Sequence, residues 1–345
     1  MSTPIKRRLP EVIGVGPGRT GSTWLHRVLE GHVDLPYGIK ETQFFSTFFY
    51  KGIGWYERHF RYATGERKIV DICPYFFKAE ARDRIKAFIP DAKIITTMRD
   101  PVDRLYSMYK LLRHSGTARR GTFEDTLKGW PSMAGGNRYA FHLKAWFDTF
   151  GRDNVLVTIY DELRAEPQSY VNRVTDFIGI ERISLAEKSH LSDETNSFAL
   201  APKNRKLARR ATAVKYWLRG QQAYRVVSLL ERAGVWEFCG GRGEPFPTLT
   251  LEQDARLREH FLPEVEALEE MLKLDLSAWK KPREPRRASV NRATVDRATL
   301  RGEYLRLALM GVLGGLLAMG MIQAAVSPTN PFDELTPQSA PFYRL

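Results

Sequence analysis

The sequence predicts an α/β fold: a parallel sheet flanked by helices, then a helical C-terminal portion and a C-terminal transmembrane helix. Three observations carry this expectation. Short β-branched runs alternate with helical segments over the first half of the chain. One of those runs passes through clustered glycines straight into a helix. Near the C-terminus an uncharged stretch is long enough to cross a bilayer.

Taken in order, Glu11–Val15 is a short apolar run ending in glycine, and Ser22–Gly31 reads as a helix. Lys68–Ile72 is a second short run, followed by a helical Ala79–Phe88. Lys93–Met98 (KIITTM) is a β-branched strand, and the helix-like Pro101–Arg113 follows it. Arg138–Phe150 places Tyr139, Leu143, Trp146 and Phe147 on one side of a helix. Val155–Ile159 (VLVTI) is another strand, with a helix over Pro167–Ile178. Strands joined through helices demand right-handed crossovers, hence a parallel sheet. Beyond Lys188 the chain becomes helical and basic, up to a long helix at Leu251–Leu272, and no internal repeat is present. This divides the chain into a folded domain over 1–282, a basic linker over 283–304, a membrane span over 305–326 and a short polar tail over 327–345.

The span rests on Leu307–Val326, where no residue is charged; at helical rise it reaches about 30 Å. Gly311 and Gly315 form a small-residue pair of the kind that lets membrane helices approach. Arg283, Arg286, Arg287, Arg292, Arg297, Arg301 and Arg306 precede it, against Glu284, Asp296 and Glu303. The positive-inside rule then keeps the flank and the folded domain cytoplasmic, as at a bacterial inner membrane, and sends the tail across. Met1–Pro10 has no apolar core and reads as neither secretory signal nor anchor.

Composition narrows the chemistry. With 43% hydrophobic and 12% aromatic residues among 345, the chain buries a sizeable core, which excludes global disorder. Two cysteines, Cys73 and Cys239, exclude a disulfide framework and a cysteine-rich zinc site. The histidines show no metal-ligand spacing, so no metal is expected. Lys and Arg number 53 against 40 Asp and Glu, a net charge of +13 that favours an anionic partner.

The segment Val12–Leu25 (VIGVGPGRTGSTWL) reads as an oxyanion cradle. Gly14, Gly16, Gly18 and Gly21 let backbone N–H groups crowd around an oxyanion, and a helix opening at Ser22 and Thr23 adds the positive end of its dipole. Arg19 supplies a forked cation. Gly16-x-Gly18-x-x-Gly21 also matches a dinucleotide fingerprint. Gly16-x4-Gly21 is P-loop-like, but Ser22 stands where a nucleotide-hydrolysing loop needs lysine. A second anion pocket is expected where strand Lys93–Met98 ends in Arg99-Asp100-Pro101. Ser107, two helical turns past Asp100, faces the same side as Arg99.

Together these segments resemble the sulfotransferase superfamily, which uses 3′-phosphoadenosine 5′-phosphosulfate (PAPS). Residues 17–23 (Pro17, Gly18, Arg19, Thr20, Gly21, Ser22, Thr23) resemble its 5′-phosphosulfate loop. R-D-P-x-x-R-x-x-S-x-Y resembles its 3′-phosphate motif, with Arg99 and Ser107 as the matching ligands. Lys40-Glu41-Thr42-Gln43-Phe44-Phe45 and Lys51-Gly52-Ile53-Gly54-Trp55-Tyr56 are similar to the heparan sulfate and glycosaminoglycan N- and O-sulfotransferase branch. Arg19 and Ile72 each stand where that branch carries lysine.

The resemblance implies a PAPS-dependent transferase with Glu41 as the base for an acceptor hydroxyl or amine, and Lys40 beside it neutralising charge on the leaving phosphate. Glu41 is preferred over His26, which falls inside the first helix, and over His32 at its end. The implied acceptor is a glycan or a lipid-linked saccharide, with no role for nucleic acid. Two alternatives carry over: a P-loop nucleotide kinase or NTPase, and a catalytically inactive module that keeps the PAPS pocket.

Overall fold

The computed structural model describes residues 8–118, 122–129, 133, 138–186, 201–240, 244 and 246–283. In chain order its elements are β1 (Val12–Gly14), α1 (Ser22–Leu29), α2 (Ile53–Glu57), β2 (Val70–Ile72), α3 (Ala79–Phe88), β3 (Lys93–Met98), α4 (Pro101–His114), α5 (Phe123–Gly129), α6 (Tyr139–Phe150) and β4 (Val155–Ile159). There follow α7 (Tyr160–Ala165), α8 (Pro167–Ile178), α9 (Arg205–Gly220), α10 (Tyr224–Arg232), α11 (Val235–Gly240) and α12 (Leu251–Leu272). They group into two compact units. One is drawn from Met1–Arg104, Gly136–Asn196 and Glu259–Lys280, the other from Leu105–Gly135, Ser197–Arg258 and Lys281–Leu345, so the division falls inside α4 and α12.

The first unit holds the sheet, in the order β2-β1-β3-β4 with all pairs parallel. Its strands are short and almost wholly buried, because helices cover them and every residue contributes to the core. Val12, Val70, Ile72 and Ile95 of the sheet join Leu25, Val28 and Leu29 of α1 and Tyr170, Val171, Val174 and Ile178 of α8 in one apolar cluster. Pro167 opens α8 at its first turn, where a missing N–H costs nothing, and Gly179 closes it with φ 82°. On α6, Trp146 is buried and donates its indole N–H to the Phe76 carbonyl over 2.9 Å.

Asp71 is an exception to the apolar pattern of these strands. It is fully buried in the middle of β2, opposite Ile13 of β1.

The second unit is helical. Ala211, Val214 and Leu218 of α9 pack with Val227 and Leu230 of α10 and Val235 and Cys239 of α11. Asn204 caps α9, accepting the Leu207 N–H at 3.1 Å. At the start of α12 Asp254 and Arg258 form a buried (i, i+4) ion pair at 2.7 Å. The Arg283 backbone N–H also donates to Asp254, over 3.0 Å. The expected membrane segment at 305–326 lies outside the described residues, as do the tail and most of the linker. Among the described residues no helix is long and apolar enough to cross a membrane.

Removing one partner of a buried ion pair strands the other charge. Arg258→Ala should therefore lower unfolding free energy by roughly 3–5 kcal/mol in urea titration, and a loss under 1 kcal/mol would contradict this account.

Candidate active site

The strand order places β1 at a switch point: the chain leaves β1 for β2 on one side and later returns to β3 on the other. In open α/β sheets the crevice outside the carboxyl ends of two such strands is where ligands bind. The glycine loop and Arg99 emerge there. Val15 stays on the ladder, donating to the Ile95 carbonyl at 2.8 Å. At Gly16 the loop then crosses the end of β3, where a Cβ would sit 3.3 Å from the Thr97 nitrogen. The Thr20 hydroxyl donates to the Pro17 carbonyl at 2.8 Å, which closes the loop on itself. Gly21 ends it with φ 88°, and a Cβ there would meet Leu163 at 2.8 Å, so both backbone and neighbours require glycine.

Gly21 is also the N-cap of α1, and no side chain caps that helix. Its first N–H groups therefore face the loop without a side-chain acceptor, the arrangement that attracts an oxyanion. Ser22 and Thr23 form its first turn, and Lys40 reaches in from the next connection. Lys40 Nζ donates to Ser22 Oγ at 2.9 Å and to Glu41 Oε1 at 2.6 Å, with both charged side chains about one-fifth to one-quarter exposed.

Arg99 approaches from β3 and donates through Nη1 to the Arg19 carbonyl at 3.0 Å. Its neighbour Asp100 has a different task, accepting the Val102 and Asp103 N–H groups to start α4. Of the residues expected from sequence, the structure brings together Arg19, Ser22, Lys40, Glu41 and Arg99. Pro17, Gly18 and Gly21 shape the loop, and Thr20 spends its hydroxyl within it. Thr23 is partly exposed on α1, and Ser107 is buried on α4 in the second unit.

Positive charge is concentrated here. Burial, then the nearby Arg99, lowers the Arg19 pKa to about 10, with Glu41 and Tyr160 opposing. Arg19 adopts φ 77°, a strained conformation for a residue that carries a Cβ and one found at functional loops. The Arg99 Nε is buried and has no hydrogen-bond partner among the described residues. An uncapped helix N-terminus, a glycine loop closed against β3 and an orphaned guanidinium N–H together fit a phosphate or sulfate oxyanion. His26, on α1, is held neutral: burial and then Lys40 lower its pKa to about 4. That makes it a poor base beside Glu41. His32 is exposed beyond the end of α1. Among the described residues no group of three or more His, Cys, Asp or Glu side chains is arranged to hold a metal.

Two features escape sequence reasoning. Tyr160, the first residue of α7, lies under the Arg99 guanidinium with its ring centroid 4.6 Å from Cζ. Only the position directly after a predicted strand end hinted at it. The second is a buried cluster around Asp71, whose Oδ2 accepts from Thr42 Oγ1 and Tyr56 OH, each at 2.8 Å. Burial raises the Asp71 pKa to about 6, against these hydrogen bonds, and the Glu41 charge adds to the rise.

Fold and site thus define an α/β protein that receives a phosphate- or sulfate-bearing ligand at the switch point of a parallel sheet. Residues 9–213 match the family model described as sulfotransferase domain, and the chain belongs to that family. Over 196 residues it is 31% identical to the bifunctional heparan sulfate N-deacetylase/N-sulfotransferase 1 of Xenopus laevis, spanning 50% of this chain and 22% of that one. Over 206 residues it is 30% identical to the human heparan sulfate glucosamine 3-O-sulfotransferase 6, spanning 57% and 60%. The chain thus covers less than two thirds of either relative. A sulfotransferase from Alicyclobacillus acidocaldarius superposes with a TM-score of 0.55 at 22% identity, covering 79% of this chain and 99% of that one, a likeness of fold.

The raised Asp71 pKa fixes a pH dependence. Its folded value of about 6 exceeds the ordinary 3.8, so the folded state takes up a proton before the unfolded state does. The ionised carboxylate therefore costs stability above pH 6, and the cost fades as pH falls towards 3.8. Asp71→Asn should unfold at higher urea than the parent at pH 7–8, by on the order of 2 kcal/mol, with the advantage gone near pH 4. An advantage that grows on acidification would contradict the assignment.

Proposed function

We propose that the protein transfers a sulfuryl group from PAPS to a hydroxyl or amine of a glycan or lipid-linked acceptor. The observation that carries this is Lys40, which touches both Ser22 at the head of α1 and the carboxylate of Glu41. It thereby ties the anion cradle to a base.

When bound, PAPS supplies the sulfuryl group; the rest is work for the chain. The uncapped N–H groups of α1, Ser22, Thr23 and Arg19 would hold the 5′ end, and Arg99 the 3′-phosphate. Glu41, as an ionised carboxylate beside the acceptor, takes the proton from the acceptor O–H or N–H. Lys40 and Arg19 set fixed positive charge where negative charge builds on the leaving side. Lys40 also restrains Glu41 through their 2.6 Å ion pair, which limits the orientations the carboxylate can take before the acceptor arrives. The heparan sulfate specificity in the names of the two relatives supports an amino-sugar acceptor.

The membrane anchor at 305–326 belongs to the same proposal, supported by the uncharged Leu307–Val326 and its arginine flank. It would hold the catalytic domain on the cytoplasmic face. Ending the chain at residue 304 should release the protein from sedimented membranes, and unchanged sedimentation refutes the anchor.

Glu41→Gln tests the chemistry. With radiolabelled PAPS and N-desulfated heparan sulfate as probe acceptor, turnover should fall at least about 100-fold, while 3′-phosphoadenosine 5′-phosphate should bind within twofold of the parent by calorimetry. Parent protein that binds the nucleotide yet sulfates neither this probe nor a membrane extract would be an inactive module.

A further inference from the structure

One buried polar cluster is not used by the chemistry above. A strand covered on both faces is expected to be apolar, and burying a carboxylate costs free energy that valine at the same place would not. Yet β2 places Asp71 at its centre, fully buried, and spends four other side chains on it and its surroundings. Thr42 and Tyr56 donate to Oδ2 at 2.8 Å each, and Cys73 Sγ lies 3.5 Å from Oδ1. The buried Tyr75 completes the group.

The distribution of these bonds is informative. Glu41 and the residues after it lie in no helix or strand. Their backbone groups nonetheless need partners, and two of these come from just beyond the end of β2. The Gln43 N–H donates to Cys73 Sγ at 3.3 Å, and the Phe45 N–H to the Tyr75 hydroxyl at 3.3 Å. The Phe44 N–H reaches Thr42 Oγ1 at 3.4 Å, while Arg84 donates to the Phe45 carbonyl at 2.9 Å. Gln43 turns with φ 51°, which directs the chain back towards these partners. Phe44 and Phe45 then anchor the far end, stacking on Tyr56 at 4.6 Å and meeting its ring edge-on at 5.1 Å. The residue adjoining this clamp on its N-terminal side is Glu41.

From this we infer that Asp71 and Thr42 are positioning residues for Glu41: the β2 carboxylate grips the Thr42 hydroxyl and so fixes the neighbouring carboxylate beside Lys40 and the glycine loop. The inference rests on the reading of Glu41 as base. Thr42 directly follows Glu41 in the chain, so a hydroxyl held by Asp71 restrains the backbone that carries the Glu41 carboxylate. A purely structural cluster would also be buried and bonded, but it would serve stability and not turnover. The two roles separate when the hydroxyl is removed and the volume kept.

The test uses the full chain with Thr42→Val and Thr42→Ser. Three measurements are made on each: affinity for 3′-phosphoadenosine 5′-phosphate, kcat and KM with PAPS and N-desulfated heparan sulfate, and hydrogen exchange at the 43–45 amides. Thr42→Val should leave nucleotide affinity within twofold and KM within threefold, while kcat drops about 10- to 100-fold, the effect of misplacing a catalytic group by about 1 Å. Its 43–45 amides should exchange at least about tenfold faster, since a lost local hydrogen bond lowers the cost of opening. Thr42→Ser, which keeps the hydroxyl, should recover kcat to within about threefold of the parent.

Unchanged kcat in Thr42→Val overturns the inference, and so does a matching loss of nucleotide affinity, which would mark general disruption. If the parent sulfates nothing, the functional reading fails and the inference falls with it; if the parent is active, unchanged exchange at 43–45 in Thr42→Val sinks the positioning alone.

Discussion

Three cations converge where β1 and β3 end, and the structure around them is arranged to keep them there. Arg19, Lys40 and Arg99 come from a glycine loop, a long irregular connection and a strand terminus. Burial and the charge of Arg99 depress the Arg19 pKa, which measures the work of holding like charges close outside water. Glu41 compensates part of that charge through Lys40, and Tyr160 lends its ring face to Arg99. A ligand bearing several negative oxygens would relieve the rest. The site is thus costly when empty of an anion and favourable when filled, which is how a binding site differs from a structural ion-pair network.

The parallel sheet makes this convergence possible. With β1 between β2 and β3, the loops that leave neighbouring strands open in opposite directions, and the gap between them sits at the positive end of α1. Within the loop, a Cβ at Gly16 would crowd the β3 backbone at 3.3 Å and one at Gly21 would meet Leu163 of α7 at 2.8 Å. A side chain at either would push the loop away from the strand end and the helix away from the loop.

Much of this was legible in the sequence. KIITTM and VLVTI became β3 and β4 with the expected ends, and Ala79–Phe88 and Leu251–Leu272 became helices over the expected residues. Periodicity and propensity agree in those stretches, so local sequence decides. The strand near Val12 proved shorter than its apolar run: Val15 keeps a ladder bond to Ile95, but Gly16 turns the chain off the sheet. The helix after β4 went unforeseen, because Tyr160–Ala165 is six residues long and carries no apolar stripe to announce it.

The site was half legible for a related reason. Glycines, a helix start and an arginine at a strand end are local patterns, and they identify the anion cradle wherever they occur. What the proposed positioning of Glu41 depends on is not local. Thr42 meets Asp71 across 29 positions, and Arg99 meets Tyr160 across a helix-rich insertion, so neither pairing has a periodicity or spacing to betray it. Asp71 is one polar residue in a short apolar run, and nothing local in that run tells which groups it meets. In the fold it is the point from which an irregular segment takes its shape. A connection with no ladder and no helical bonds of its own must borrow partners from a rigid neighbour. Here the lenders are β2, which flanks β1 on the side away from β3, and the residues just after it, so on the proposed reading the same sheet that opens the crevice also positions the Glu41 carboxylate beside it.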